Sequence, residues 1–301
     1  MNKFRLALDW TANSNHIGFY VALEKGFYRD LELEVELLTP DQDDYQLTPA
    51  KKVELGIADL ALCPMESILS YRTKANPFPL LAIAAVLQED LSAIVSLADK
   101  GFESPKALDQ KSYASYKARY EDEIVRKMIQ NDGGSGEIEL LYPDKLGIWN
   151  TLVEGKADST WIFMNWEGLQ AKAKGIELTH FRLKDYGIPY SYSPVIVVNE
   201  ASLEAMNSQY RSFLAASRKG FVFAQNNPKE ATEILFPHID ADYREMDLEA
   251  SVRMTTAAMG SQADWGKMDY KNIQEYLDWL QSSGLLPEKF EPEQLAINSL
   301  L

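Results

Sequence analysis

The sequence predicts an α/β fold of two lobes, a clamshell with two hinge crossings and a helical C-terminal region. Three observations predict it. Short runs rich in Leu, Val, Ile and Ala alternate with segments of helical spacing. The composition changes near residue 98, where an apolar stretch gives way to loop signals and a second α/β unit begins. Beyond Glu200 the pattern is helical almost throughout.

Taken in order, Phe4-Arg5-Leu6-Ala7-Leu8-Asp9 alternates apolar and polar positions and predicts a strand. Gly18 to Lys25 has helical spacing and ends at Gly26, which suits a C-cap. Leu33 to Leu38 alternates again, and Thr39 to Tyr45 is polar and turn-rich. A helix over Thr48 to Leu55 leads to a buried strand, Leu60-Ala61-Leu62-Cys63; a helix over Ser67 to Thr73 precedes an apolar strand over Leu80 to Val86. These units predict a largely parallel sheet. Ala93 to Leu97 is extended and apolar, and Asp99-Lys100-Gly101 and Ser104-Pro105 are loop signals. The second unit has strands near Tyr113, at Ile138 to Leu141 and through Trp161-Ile162-Phe163, with helices at Glu121 to Asn131 and Ile148 to Gly155. Pro194 to Val198 predicts a returning strand. Lobe I therefore comprises residues 1–97 plus 195–301 and lobe II residues 98–194, with hinges near 97 and 194.

Composition narrows the function. The 301 residues carry 30 Lys+Arg against 45 Asp+Glu, a net charge of -15 that disfavours nucleic acid and anionic membranes as partners. The one cysteine, Cys63, excludes an intrachain disulfide or multi-cysteine metal site, and His16, His180 and His238 have no metal-ligand spacing, so neither metal nor cofactor is expected. The apolar run Leu80 to Leu87 is far below the roughly 18 residues needed to span a bilayer, so no membrane insertion is expected. Met1-Asn2-Lys3 leads straight into a strand, with no signal-peptide core and no lipobox cysteine. A cytoplasmic location is expected for the chain as written, and an extracytoplasmic one if an export signal has been removed.

Three constellations carry candidate chemistry. Asp9-Trp10-Thr11-Ala12-Asn13-Ser14-Asn15-His16 places a large ring and hydrogen-bonding side chains where a strand ends and a helix begins. In open α/β sheets, ligands sit at that end of the strands. Phe163-Met164-Asn165-Trp166-Glu167-Gly168 repeats the arrangement with a carboxylate. An acid beside aromatic rings suits an amino-substituted heterocycle, because the ring stacks while the acid accepts from the exocyclic amine. Each of these two also reads as a capped strand-to-helix junction. Tyr113 to Glu121 brings Lys117 and Arg119 to a helix start but lacks the glycines of a phosphate cradle, and solvated helix-end charges explain it better. There is no GxGxxG, GxxxxGK[ST] or GxSxG, and Cys63 has no adjacent His, so no catalytic residue is assigned.

Leu8 to Ala22, followed by Glu24-Lys25-Gly26-Phe27-Tyr28, resembles the opening of the thiamine-pyrimidine family within the type II periplasmic-binding-protein fold. The resemblance continues through Gly155-Lys156-Ala157-Asp158, Asn165-Trp166-Glu167-Gly168, Phe181 to Pro189 and Asn226 to Ala231. That family includes bacterial importer proteins that capture formylaminopyrimidine and fungal enzymes that make hydroxymethylpyrimidine phosphate. The resemblance implies that Trp10 stacks on a pyrimidine, that Phe163 stands where the importers tend to have tyrosine, and that Glu167 hydrogen-bonds the aminopyrimidine edge. Asn15, His16, Asn165, Trp166 and Tyr186 lie in matching motifs and complete the candidate ligand-binding set. The synthases use a lysine, a histidine and a cysteine-rich segment; Cys63 and Ser67 stand at the first two positions, and Tyr190 to Pro194 contains no cysteine. The expectation is a non-catalytic protein that closes over a small heterocyclic ligand and has an ABC permease as its candidate partner. A pyrimidine-precursor synthase or a cytoplasmic sensor is the alternative.

Overall fold

The computed structural model describes residues 2–143 and 148–301. The first lobe starts with β1 (Asn2–Ala7), α1 (Ile17–Glu24), β2 (Leu33–Leu38), α2 (Pro49–Glu54), β3 (Leu60–Cys63), α3 (Met65–Thr73) and β4 (Leu80–Ala85). The chain then crosses to β5 (Ser92–Leu97), β6 (Ser112–Ala114), α4 (Glu121–Asn131), β7 (Glu139–Leu141), α5 (Ile148–Val153), β8 (Ser159–Phe163), α6 (Glu167–Ala173) and β9 (Leu178–Phe181). It returns through β10 (Val195–Asn199) and finishes with α7 (Asn207–Asn226), α8 (Pro228–Leu235), α9 (Leu248–Ala258) and α10 (Tyr270–Ser282).

Two five-stranded sheets result, ordered β2-β1-β3-β10-β4 and β7-β6-β8-β5-β9. The expectation of largely parallel sheets needs one correction, made twice. β10 runs antiparallel to β3 and β4, and β5 antiparallel to β8 and β9. In both sheets the reversed strand is the one that has just arrived from the other lobe. The same pairing moves the first crossing. Leu97 ends a central strand of the second sheet, so the change of lobe falls between Ala85 and Ser92 rather than at residue 97. β9, absent from the sequence reading, is a short edge strand whose Thr179-His180 lacks the apolar pattern of the central strands.

Every residue of β4 is buried, as a strand covered on both faces requires. One face of the first sheet packs Phe4 and Leu6 against Phe19, Phe213 and Phe221 of α1 and α7. The other packs Ala61 and Ala82 beneath Ile68 of α3 and Leu277 and Leu280 of α10. Each such fully buried Leu or Phe contributes about 1.5–3 kcal/mol of transfer free energy. α1 and α7 cross closely: a Cβ on Gly220 would stand 2.0 Å from the Gly18 carbonyl oxygen, and one on Gly18 would stand 2.0 Å from the Phe221 ring. No described helix is long and apolar enough to cross a membrane.

Candidate ligand cleft between the lobes

The loop after β1 is shaped by its own polar side chains. Asn13 is extended and caps a short 3-10 turn, Ser14–His16, its Oδ1 accepting from the Asn15 N–H at 2.8 Å. Trp10, just before the turn, is half-buried, and its ring lies 5.9 Å from that of Tyr45. Asp44 and Tyr45 both adopt left-handed backbone angles, and the phenol ring of Tyr45 stays half exposed. The Trp10 Nε1–H is buried without a hydrogen-bond partner. His16 is wholly buried and its Nε2 donates to Asp9 Oδ1 at 2.7 Å, which locks the ring below the cleft floor.

Across the cleft, β8 turns into α6. Phe163 is half-buried, and its N–H donates to Glu167 Oε2 at 3.0 Å. Desolvation pushes the Glu167 carboxyl up to about 7, against the opposing pull of backbone N–H groups. No lysine, arginine or histidine pairs with it among the described residues. Its charge is felt by two phenols. Burial and then Glu167 hold Tyr116 well above the usual tyrosine range, and the same two causes, with Asp240 and Tyr45, push Tyr243 up to about 12. Trp10 thus pairs with Tyr45 in the first lobe, and Glu167 with the Phe163 backbone in the second.

Four of the singled-out residues, Asn15, Asn165, Trp166 and Tyr186, do other work. The Asn165 side chain leaves the second lobe and enters the first, where its Nδ2 donates to Asn15 Oδ1 (2.8 Å), Thr255 Oγ1 (2.7 Å) and Ser14 Oγ (3.3 Å). Ser251 of α9 donates to Ser14 Oγ at 2.7 Å, closing a fully buried polar seam. Asn15 therefore serves that seam. Trp166 is 2% exposed and packs in the first lobe's core, its ring 5.3 Å from that of Tyr243. Tyr186 does other work: its carbonyl accepts from Asn131 at the C-terminal end of α4, and its ring packs on Phe181. The third constellation is structural as well. Lys117 sits 4.5 Å over the Tyr142 ring, and Arg119 reaches across to the Thr73 hydroxyl of α3.

Three cleft residues escaped the sequence reading. Trp161, two residues before Phe163 on β8, is half-buried on the same strand face, and its ring meets that of Tyr190 at 5.3 Å. Glu66, in the first turn of α3, is 5% exposed and accepts from the Tyr190 hydroxyl at 2.9 Å. A carboxylate two residues after Cys63-Pro64, at a strand's carboxyl end, was the available signal. Among the described residues no group of three His, Cys, Asp or Glu is arranged to hold a metal ion. Two surface depressions, one behind α6 near Met164 and Lys172 and one between Asn227 and Arg253, lie away from these residues.

Two lobes joined by two chain crossings, with polar and aromatic groups at the strand ends between them, define a bilobal periplasmic-binding-protein-like α/β protein. Within that class the chain belongs to the NMT1/THI5-like family, whose model matches residues 13–231. A formylaminopyrimidine-binding protein from Halalkalibacterium halodurans is 26% identical over 295 residues, covering 96% of this chain and 87% of its own. A thiamine biosynthesis protein from Haemophilus influenzae is 24% identical over 296 residues, covering 98% and 91%. Among solved structures, the alkanesulfonate-binding protein SsuA from Xanthomonas axonopodis pv. citri superposes with a TM-score of 0.71 at 12% identity, over 98% of each chain. That likeness concerns the fold.

Proposed function

We propose that this chain is a non-catalytic binding protein that captures a small aminopyrimidine between its lobes. The observation that carries the reading is the Glu167 carboxyl, bonded to the backbone N–H of Phe163, unpaired with any described cation and raised to about 7. An aminopyrimidine edge offers an N–H donor beside a ring-nitrogen acceptor. A two-pronged contact to a carboxyl group therefore needs one shared proton, and a group that titrates near neutrality supplies it. Trp10 and Phe163 offer flat faces for the ring, and the unpartnered Trp10 Nε1–H offers a further donor. An acid-lined cleft opposes a sulfonate or nitrate, so the ligand class of the structural neighbours is not carried over. The match to a formylaminopyrimidine-binding protein along nearly the whole chain supports the same ligand chemistry.

Closure of both lobes over the ring is the binding step, and delivery to an ABC permease outside the cytoplasm is the role that fits the family's importers. Titration calorimetry with 4-aminopyrimidines tests the reading. Micromolar or tighter binding, about -8 kcal/mol, is expected for the natural chain. Glu167→Leu, which removes both the acceptor oxygen and the shared proton, is expected to weaken it by about 10- to 100-fold. No heat with any member of the series overturns the reading, and an unchanged affinity in the variant removes Glu167 from it.

A further inference from the structure

Among the described residues, five other than glycine adopt left-handed backbone angles, and only Asp44 (φ 53°) and Tyr45 (φ 60°) are consecutive. The Gln46 N–H donates to the Asp43 carbonyl at 3.1 Å across them, which makes the pair the centre of a tight turn. Turns with positive φ at both central positions favour Asn-Gly, and a bulky side chain at the second position is strained. Burial does not offset that strain, because Tyr45 is 50% exposed. The surroundings hold the turn nonetheless. Pro40 is buried at the start of the loop, and its carbonyl accepts from the Tyr45 N–H at 2.9 Å. The Lys52 ammonium of α2, almost wholly buried, lies 3.2 Å from Asp43 Oδ2. Strained backbone fixed by its neighbours in this way clusters where a side chain must be presented to a ligand.

What this turn presents is an accessible ring beside Trp10. β1, β2 and β3 run parallel, so Asp9-Trp10, Thr39 to Tyr45 and Pro64 to Glu66 lie beyond one edge of the first sheet. The same edge meets the second lobe at Asn15, which accepts from Asn165. The Trp10 and Tyr45 ring centroids are 5.9 Å apart and their planes are inclined at 56°. A ring sandwiched between them would need parallel walls about 7 Å apart, twice the separation of stacked carbons. The pair forms a corner instead. A ligand ring lying parallel to Trp10 is inclined by the same 56° to Tyr45, close to the edge-to-face contact that aromatic rings favour. We infer that Tyr45 is a ligand-contacting residue, an aromatic lip held by the strained turn against the edge of a flat heteroaromatic ring stacked on Trp10. The inference rests on the aminopyrimidine reading of this cleft and adds a specificity-determining residue to it.

Calorimetry and thermal unfolding of the full chain test this, with 4-amino-2-methylpyrimidine as the probe and Tyr45→Gly as the variant. Glycine removes the ring and relieves the turn together, so the two measurements are expected to move in opposite directions. The ligand-free thermal midpoint is expected to equal or exceed the natural one, because glycine adopts positive φ without strain. Affinity for the probe is expected to fall by about 3- to 10-fold, the worth of one edge-to-face aromatic pair. Tyr45→Phe, which keeps the ring, is expected to bind within about 2-fold of the natural chain. Unchanged affinity in Tyr45→Gly, or an equal loss in Tyr45→Phe, overturns the lip and leaves the pyrimidine reading standing. A lower affinity with a lower midpoint also overturns it, as the mark of a turn that supports Trp10 without touching the ligand. Failure of the natural chain to bind the probe overturns the pyrimidine reading and the lip with it.

Discussion

At the scale of single residues, Glu66 and Glu167 carry a measurable cost. Both carboxyls stand at about 7 in the folded chain, raised first by desolvation. Between their ordinary value and 7, the folded state holds protons that the unfolded state has released. Folding stability therefore falls as pH rises through that window, and the loss is complete above about 7. For Glu66, almost fully buried, the loss is about 3 kcal/mol, whereas the half-exposed Glu167 contributes less in the same direction. Asp90, raised to about 6, adds to the fall, and His238, lowered by burial, opposes it. Denaturant unfolding of the natural chain and of Glu66→Gln at several pH values separates these groups. The variant is expected to gain about 3 kcal/mol relative to the natural chain between pH 5 and pH 8; parallel curves would refute the assignment. The sequence made Glu167 legible because an acid straight after Trp166, four residues past a strand-end Phe163, is conspicuous. Glu66 was not, because its neighbour Cys63 drew the chemical reading while the acid's partner, Tyr190, lies 124 positions away.

At the scale of elements, α1 and α7 meet backbone to backbone. An added Cβ on Gly220 would displace the Gly18 carbonyl, and both groups belong to rigid helices rather than to flexible side-chain ends. Gly220→Ala is therefore expected to destabilise the chain by about 1–3 kcal/mol despite the better helix propensity of alanine, read as a lowered thermal midpoint. A midpoint equal to or above the natural one would show that the helices move apart freely. Most elements were legible as apolar runs and capped helices: the six residues of β2 and the eleven of α4 fall where the pattern put them. The reversed strands were not. β5 and β10 look like ordinary buried strands, and direction is set by pairing with residues far along the chain. β9 failed to show because an edge strand needs only one covered face.

At the scale of the whole molecule, the Asn165 seam fixes how the lobes sit. Its amide enters a pocket formed by Ser14, Asn15 and Thr255, so the arrangement described is one in which the lobes touch. Asn165→Ala removes three donor contacts between the lobes, and the remaining hydroxyls can bond to one another. In small-angle scattering the ligand-free variant is expected to show a larger radius of gyration than the natural chain. Its ligand affinity is expected to fall by about 10-fold, because closure no longer has this support. Identical radii and affinities would mean that the seam follows closure without helping it. The motif around Asn165 was read correctly as special, but as a ligand contact. From sequence alone, an amide that reaches a ligand cannot be told from one that reaches the opposite lobe.

The late return of β10 to the first sheet also bears on how the protein is made. Residues from Ser92 to Phe181 contain every strand of the second sheet, so that half is complete once its last strand has left the ribosome. The first sheet cannot close at that stage. β3 and β4 are synthesised early, yet the strand that stands between them spans Val195–Asn199. The earliest-made segment is thus the later one to mature, and its open gap between β3 and β4 is the part of the nascent chain most in need of protection from stray pairing.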